Sequence, residues 1–276
     1  MEVLSDILQG IRTSGSVYFC DFLLPPWELD YEAESRAMFH LVRRGRCKID
    51  IGDETYTLEH GDFVFFAPGV DHRVYSSDGS DDRTLLLCGY CLFDNELNDL
   101  LLRALPGYVL LQQDELEKWP WLTRTLEHLS AEYMSGEPGS DLTVNKLTEV
   151  LLVQLLRINF GRESKVGIVA ALRDKRIHRA LSVVHDNPGH DWTIESVARE
   201  ASMSRSGFAR RFKELLDTSF FDYLTRLRMR EARQLLSSTS LPVSDIAERV
   251  GYTSDLSFVK TFKKLHGLTP RAYRGS

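Results

Sequence analysis

Two periodicities divide the chain. Through the first hundred residues, short runs of β-branched and aromatic residues alternate with polar positions, as in MFHLVRRGRCKIDIGDETYTLEHGDFVFFAPG from Met38. They are broken at Arg44-Gly45, Gly52-Asp53, His60-Gly61-Asp62 and Pro68-Gly69. Strands punctuated this closely predict an antiparallel sandwich or barrel. A polar loop over residues 76–82 precedes a further strand from Thr84 to Phe93. From about Asp114 the spacing turns helical. In LTVNKLTEVLLVQLLRINF, Val144, Leu147, Leu151, Leu155 and Ile158 recur at three- and four-residue steps and form one apolar stripe. The stripe suits packing against the chain's own barrel and a dimer seam equally. Residues 161–167 read as a linker, which predicts domains at 1–165 and 172–276, the second all helical.

Composition sets limits on this picture. The 276 residues are 43% hydrophobic and 27% charged, an ordinary globular balance with material for two cores. No apolar run approaches the ~20 residues of a membrane helix. The opening MEVLSDILQGIRTSGS has neither a basic leader nor a cleavable apolar stretch, so a cytoplasmic protein without membrane contact is expected. The net charge of −6 hides a division. Residues 172–276 hold 19 Lys+Arg against 12 Asp+Glu, a net of +7, which leaves −13 for residues 1–171. A basic module that meets a polyanion, joined to an acidic module with another task, is the simplest reading.

The basic half contains a repeat. IESVAREASMSRSGFARRFKELLDTSFFDYL from Ile194 overlays VSDIAERVGYTSDLSFVKTFKKLHGLTPRAYR from Val243, at an offset of 49 residues and then 50. Val197-Ala198 matches Ile246-Ala247, Phe208 and Phe212 match Phe258 and Phe262, and Tyr223 matches Tyr273. Each copy reads as helix, turn, helix, over about 193–214 and 242–265. Thr193, Ser204 and Ser254 are placed to cap helices, Pro242 opens one and Gly251 ends it. This is the helix-turn-helix pattern, whose second helix enters the major groove. With the phenylalanines inside, Arg205, Ser206, Arg210 and Lys213 face outward in the first copy. Ser254, Asp255, Ser257, Lys260 and Lys264 do so in the second. Guanidinium groups can bind a guanine edge at two points, and hydroxyls reach bases or phosphates. A long amphipathic helix with Leu224, Leu227, Ala232, Leu235 and Leu236 on its apolar side joins the copies. Its arginines 226, 228, 230 and 233 are expected at phosphates or in surface ion pairs.

The phrases LLSSTSLPVSDIAERVGYTSDLSFVKTFKKLHGLTPRAYR and MSRSGFARRFKE resemble the DNA-binding domain of the AraC/XylS-type transcription regulators, over about residues 174–276. The resemblance implies two helix-turn-helix units, double-stranded promoter DNA and RNA polymerase as partners, and room for a homodimer. Ala209 and Asp255 depart from the usual polar or basic residues on the reading helices, which bears on the operator sequence.

Residues 37–75 resemble the cupin-type barrel that fronts many such regulators, which makes the whole an α+β two-domain chain: a cupin-like β-barrel with a helical extension, then an all-α double helix-turn-helix domain. GDFVFFAPGVDHRV looks like the second cupin motif, with His72 at the metal-ligand position. His40 stands where a His-x-His pair is expected, and no matching glutamate follows. Two histidines fall short of the three or four convergent ligands of a catalytic metal, so no metal, no cofactor and no enzyme activity are expected. His72 fits a turn histidine bonded to backbone better than a ligand. A small-molecule effector in the barrel would meet His40, His72 and Phe65, with Phe39, Phe66 and Tyr75 nearby. Cys20, Cys47, Cys88 and Cys91 all lie in the acidic half. Cys88 and Cys91, three apart on a strand, face opposite sides and cannot close a disulfide without a bulge at Gly89. The oxidant-responsive subset of these regulators, which answers reactive chlorine, carries an early cysteine and a late Cys-Gly step. Cys20 and Cys88-Gly89 match, which implies redox sensing at Cys20 and Cys88. Asp21 disfavours a Cys20 thiolate.

Overall fold

The structure, a computed structural model, describes residue 3 and residues 13–77, 83–93, 105–161 and 167–275. Most of the predicted polar loop (78–82) and of the predicted linker (162–166) lies outside the described residues. The described residues form two compact units, one of residues 13–77, 83–93 and 105–161, the other of residues 167–275 with residue 3.

The first unit holds strands β1 (Thr13–Leu23), β2 (Glu28–Tyr31), β3 (Ala37–Arg44), β4 (Cys47–Ile51), β5 (Glu54–Leu58), β6 (Phe63–Phe66), β7 (His72–Ser76), β8 (Thr84–Phe93) and β9 (Tyr108–Leu111). They make two antiparallel sheets, ordered β1-β8-β3-β6-β9 and β2-β7-β4-β5. The hairpin from β4 to β5 turns at Gly52, whose φ of +57° is costly for other residues. β9 lies beyond the predicted strands and extends the larger sheet past β6. Alternation decides which side chains fill the space between the sheets. Met38, Val42, Val64, Phe66, Leu86 and Cys88 from one sheet meet Cys47, Ile49, Ile51, Leu58 and Val74 from the other.

Helices α1 (Gln113–Leu116), α2 (Pro120–Ser135) and α3 (Ser140–Gly161) follow, and α3 packs on α2 and on β1. Val144, Leu151, Leu155 and Ile158 are buried in the protomer and Leu147 is partly buried, so most of the apolar stripe of α3 is covered without a second copy. Across the register pair Phe39–Gly89 between β3 and β8, a Cβ on Gly89 would lie 2.1 Å from a carbon of the Phe39 ring. Gly89 lets the aromatic ring lie directly on the neighbouring backbone.

The second unit contains α4 (Ile168–Arg173), α5 (Lys175–Asp186), α6 (Ile194–Glu200), α7 (Arg205–Leu216), α8 (Phe220–Ser238), α9 (Val243–Arg249), α10 (Asp255–His266) and α11 (Pro270–Arg274). The repeat is structural. The helix pairs α6/α7 and α9/α10 each enclose a turn whose hydrogen bond reaches back five residues, Met203 N to Ala198 O and Tyr252 N to Ala247 O, both at 2.9 Å. Gly251 supplies the left-handed residue in the second turn (φ +83°), and Ser202 takes that place in the first (φ +53°). The aromatic cores coincide as well. The ring centroids of Phe212 and Tyr223 are 5.5 Å apart, and those of Phe262 and Tyr273 5.7 Å, both pairs edge-on.

Replacing Gly89 by Ala should destabilise the first unit by about 1–3 kcal/mol through overpacking. Chemical denaturation of Gly89→Ala, Phe39→Ala and the double variant checks this: the double variant should recover part of the loss.

Candidate functional site

Each reading helix owes its orientation to caps and to a buried aromatic pair. Thr193 and Ser196 form a reciprocal capping box, with Ser196 N donating to Thr193 Oγ1 (3.0 Å) and Thr193 N to Ser196 Oγ (2.9 Å). Ser204 caps α7 by accepting from Gly207 N (3.2 Å), and Ser254 caps α10 by accepting from Ser257 N (3.4 Å). Phe208 and Phe212, and Phe258 and Phe262, are fully buried. The remaining faces are therefore open. Arg205, Ser206, Arg210 and Lys213 are exposed on α7, as are Asp255, Ser257, Lys260 and Lys264 on α10, with Ser254 exposed at its cap. Arg205 and Arg210 have only loose ion pairs, with Glu195 at 3.9 Å and Glu214 at 3.7 Å. At such exposure these are weak enough to exchange for a DNA contact. Arg211 is different: its Nε donates to Asp174 Oδ2 at 2.9 Å, which ties α7 to the N-cap of α5.

The sequence reading passed over Leu256. It is 84% exposed in the first turn of α10, the position that Ser206 holds in α7, and an apolar residue there can meet a thymine methyl. Its signal was an apolar residue on the outward side of a helix whose inward side was already assigned. The arginines of α8 correct the expectation made for them. Arg230 and Arg233 are buried, and Arg228 donates to three backbone carbonyls. A helix enclosed by both readers has too little free surface to offer all its cations to phosphate.

In the barrel, two cross-strand pairs face each other. His40 of β3 lies opposite Cys88 of β8 in register, and Tyr31 of β2 opposite His72 of β7. The first pair belongs to the larger sheet and the second to the smaller. Between them, His40 Nε2 and His72 Nε2 are 2.7 Å apart, His40 Nδ1 is 3.0 Å from Cys88 Sγ, and the Tyr31 hydroxyl donates to Cys88 Sγ at 3.6 Å. Phe66 stacks on His72 at 3.7 Å with the rings 6° from parallel, and Tyr31 stacks on it at 4.7 Å.

Proton positions follow from the chain of partners. Burial drives His40 well below its ordinary value and His72 down to about 4, so both rings are neutral at pH 7. The Val70 carbonyl can only accept, so His72 Nδ1–H donates to it (3.4 Å). His72 Nε2 is then bare and accepts from His40 Nε2–H, which leaves His40 Nδ1 bare to accept the Cys88 S–H. His72 thus has the backbone bond expected of it and a side-chain partner as well. Because His40 presents opposite ring nitrogens to Cys88 and His72, the three donors do not converge on one point. Among the described residues no three His, Cys, Asp or Glu side chains are placed to hold a metal ion. The described side chains of this barrel therefore do not assemble the three-ligand set of a catalytic cupin.

The expected pocket residues are only partly brought together. Phe65 pairs with Phe39 in register and points away from Phe66, on the other face of β6. Tyr75 turns outward and donates to Asp50 Oδ1 at 3.1 Å. Tyr31 takes the place the sequence reading had given to these aromatics; in the short segment ELDY its alternation is too brief to show a face. The cysteines also separate. Cys88 and Cys91 lie on a strand whose pairing with β3 runs without a bulge past Gly89, so they face opposite sides. Cys20 pairs with Leu87, and Cys88 with Phe19, which sets Cys20 and Cys88 on opposite faces of the sheet. Burial pushes Cys47, Cys88 and Cys91 each up to about 12. Cys20, half-buried, is raised mainly by burial, with Asp21 adding to it and Arg43 opposing.

With this geometry, residues 2–161 match the cupin family and residues 197–276 the helix-turn-helix domain family. The chain is 28% identical over 278 residues to the RCS-specific HTH-type transcriptional activator RclR of Escherichia coli K12, covering 99% of this chain and 97% of the relative. It is 27% identical over 303 residues to the HTH-type transcriptional regulator AlkR of Acinetobacter baylyi, covering 99% of each. Among solved structures it is similar to the DNA-binding domain of AdpA in complex with a target DNA, with 28% identity, a TM-score of 0.35, and coverage of 36% of this chain and 88% of that one. No helix among the described residues is long and apolar enough to cross a membrane.

The histidine pair should make the barrel acid-sensitive. Both rings are neutral when folded, and His72 regains its ordinary value of 6.5 on unfolding, so below that pH the unfolded chain binds more protons. Stability present at pH 7 should fall as the pH drops from about 6.5 towards 4. Hydrogen-exchange protection of β3 and β7 amides should show this decline, and His72→Gln should flatten it.

Proposed function

Because the chain belongs to the cupin-fronted AraC-type transcription regulators, we propose that it reads promoter DNA through α7 and α10 and that oxidation of its barrel thiols resets that reading. The observation that carries the first part is the duplicated reader with its exposed face: Arg205, Ser206, Arg210 and Lys213 in one copy, Ser257, Lys260 and Lys264 with Leu256 in the other. Arginine and hydroxyl contacts read base edges, Leu256 meets a thymine methyl, and the lysines neutralise phosphates. Asp255 disfavours a phosphate and suits a cytosine amino group. The partners in this reading are duplex promoter DNA and RNA polymerase, in keeping with the activator named among the relatives.

The switch rests on Cys88. Burial opposes its ionisation, and His40 Nδ1 at 3.0 Å is placed to take the proton while the Tyr31 hydroxyl donates to sulfur. The oxidant class is HO–X, a hypohalous acid or a hydroperoxide. With a hydroperoxide, sulfur bonds to the terminal oxygen, the O–O bond breaks, and the leaving oxygen departs with the electron pair and takes the proton held by His40. With a hypohalous acid, sulfur bonds to the halogen, hydroxide leaves and takes that proton, and water then displaces the halide as HX; the sum in both cases is RSH + HOX → RSOH + HX. An oxygen atom added between fully buried side chains overpacks the space between the sheets. Cys20, half-buried on the opposite face, is the more open of the two thiols, and the two act as separate sites in the reduced fold. The mutual contact of Tyr31, His40, Phe66, His72 and Cys88 favours this reading over an effector bound among them.

Two experiments test these readings. Arg210→Ala should weaken binding to a promoter duplex by about 1–3 kcal/mol relative to random competitor; an equal loss on every sequence would reassign Arg210 to phosphate. Footprinting of reduced and oxidised protein should differ; Cys88→Ser should remove most of the difference and Cys20→Ser should reduce it. If both variants respond to oxidant as the unmodified chain does, the thiol switch is wrong.

A further inference from the structure

Arg228 sits on α8 between Tyr223, whose ring packs on Phe212 of the first reader, and Ala232, in the core of the second. Its guanidinium makes three hydrogen bonds to backbone. Nε donates to Pro188 O at 2.8 Å, Nη2 to His190 O at 2.8 Å, and Nη1 to Gly251 O at 3.2 Å. Pro188 and His190 belong to the segment that leads into α6 of the first reader. Gly251 is the turn residue of the second. One side chain on the connecting helix therefore ties the entry of one reader to the turn of the other.

A second observation agrees. The backbones of those two segments are in direct contact, because both positions are glycine. A Cβ on Gly189 would lie 2.3 Å from the carbonyl oxygen of Arg249, and a Cβ on Gly251 would lie 2.5 Å from that of Gly189. Gly251 also carries a φ of +83°. The Tyr252 ring flanks the guanidinium with its centroid 6.0 Å from Arg228 Cζ. A lone helix between two small helical bundles would let each bundle pivot on its own side-chain contacts. The guanidinium and the glycine contact add a second connection away from the helix axis.

We propose that Arg228, together with Gly189 and Gly251, is a positioning clamp that fixes the distance and phase of the two DNA readers. It thereby sets how far apart the two sequence boxes of the operator must lie. Once one reader is docked, the second binds intramolecularly, at an effective concentration that depends on how well the joint is held. Loosening the joint lowers that concentration without touching a DNA contact. A lysine keeps the charge of Arg228 but not the planar fork that serves three carbonyls.

The test uses the full chain and a duplex that it selects from a random library, with derivatives in which one box is scrambled or one or two base pairs are added between boxes. Arg228→Lys should bind the two-box duplex about tenfold more weakly and the single-box duplexes unchanged. Its penalty for an added base pair should be smaller than that of the unmodified chain. Gly189→Ala, which alters no charge, should behave alike; should it lose its helical circular dichroism, Arg228→Lys alone carries the comparison. The dependence of affinity on salt should keep its slope in Arg228→Gln, which removes the charge. A slope reduced by about one would mean that Arg228 contacts a phosphate, and the clamp would be overturned. Equal loss on one-box and two-box duplexes, or an unchanged spacing dependence, would overturn it as well.

Discussion

In each copy of the helix pair, two phenylalanines four residues apart must leave water, and this burial decides which face of the second helix stays open. Phe208 and Phe212 turn α7 against α6 and α8; Phe258 and Phe262 do the same for α10. Burying such a ring contributes roughly 1.5–3 kcal/mol, far more than any exposed ion pair on the opposite face. The outward set is therefore what the rings leave free. Arginines and lysines can then change along that face without altering its orientation.

The barrel uses polar groups where the readers use rings. His40 and Cys88 approach from one sheet and Tyr31 and His72 from the other, and their hydrogen bonds join the sheets across an otherwise apolar interior. Each ring nitrogen of His40 and His72 has a partner, and the series ends at the Val70 carbonyl, so these two side chains avoid the large penalty for unpaired polar groups. The same arrangement makes the interior chemically sensitive. A proton on either histidine, or an oxygen on the sulfur, breaks a chain in which each donor depends on the next.

Arginine has unlike roles within a few turns of one another. Arg205 and Arg210 are exposed with loose partners, Arg211 is pinned to Asp174, and Arg228 is held by three carbonyls. Charge counting along the chain sees these as one basic surface. Only the first two are free to exchange partners when a polyanion arrives, since the others would leave a carboxylate or buried carbonyls without a donor.

The chain's own letters were enough for the duplicated helix pairs, their caps and their outward residues, because those depend on spacings of three and four within a short segment. They were enough, too, for a β-rich first half and for the separation of Cys88 from Cys91, since strand alternation is local. They could not show that His40, His72, Cys88 and Tyr31 meet, because these come from four strands in two sheets and their contact depends on long-range register. The same holds for Phe65 and Tyr75, whose faces are fixed only once β6 and β7 find their neighbours. Arg228 looked like any cation on an amphipathic helix, and its partners stand 40 and 23 residues away in sequence. Local pattern determines which face of an element is apolar; only the assembled tertiary structure decides which distant backbone or side chain that face will touch.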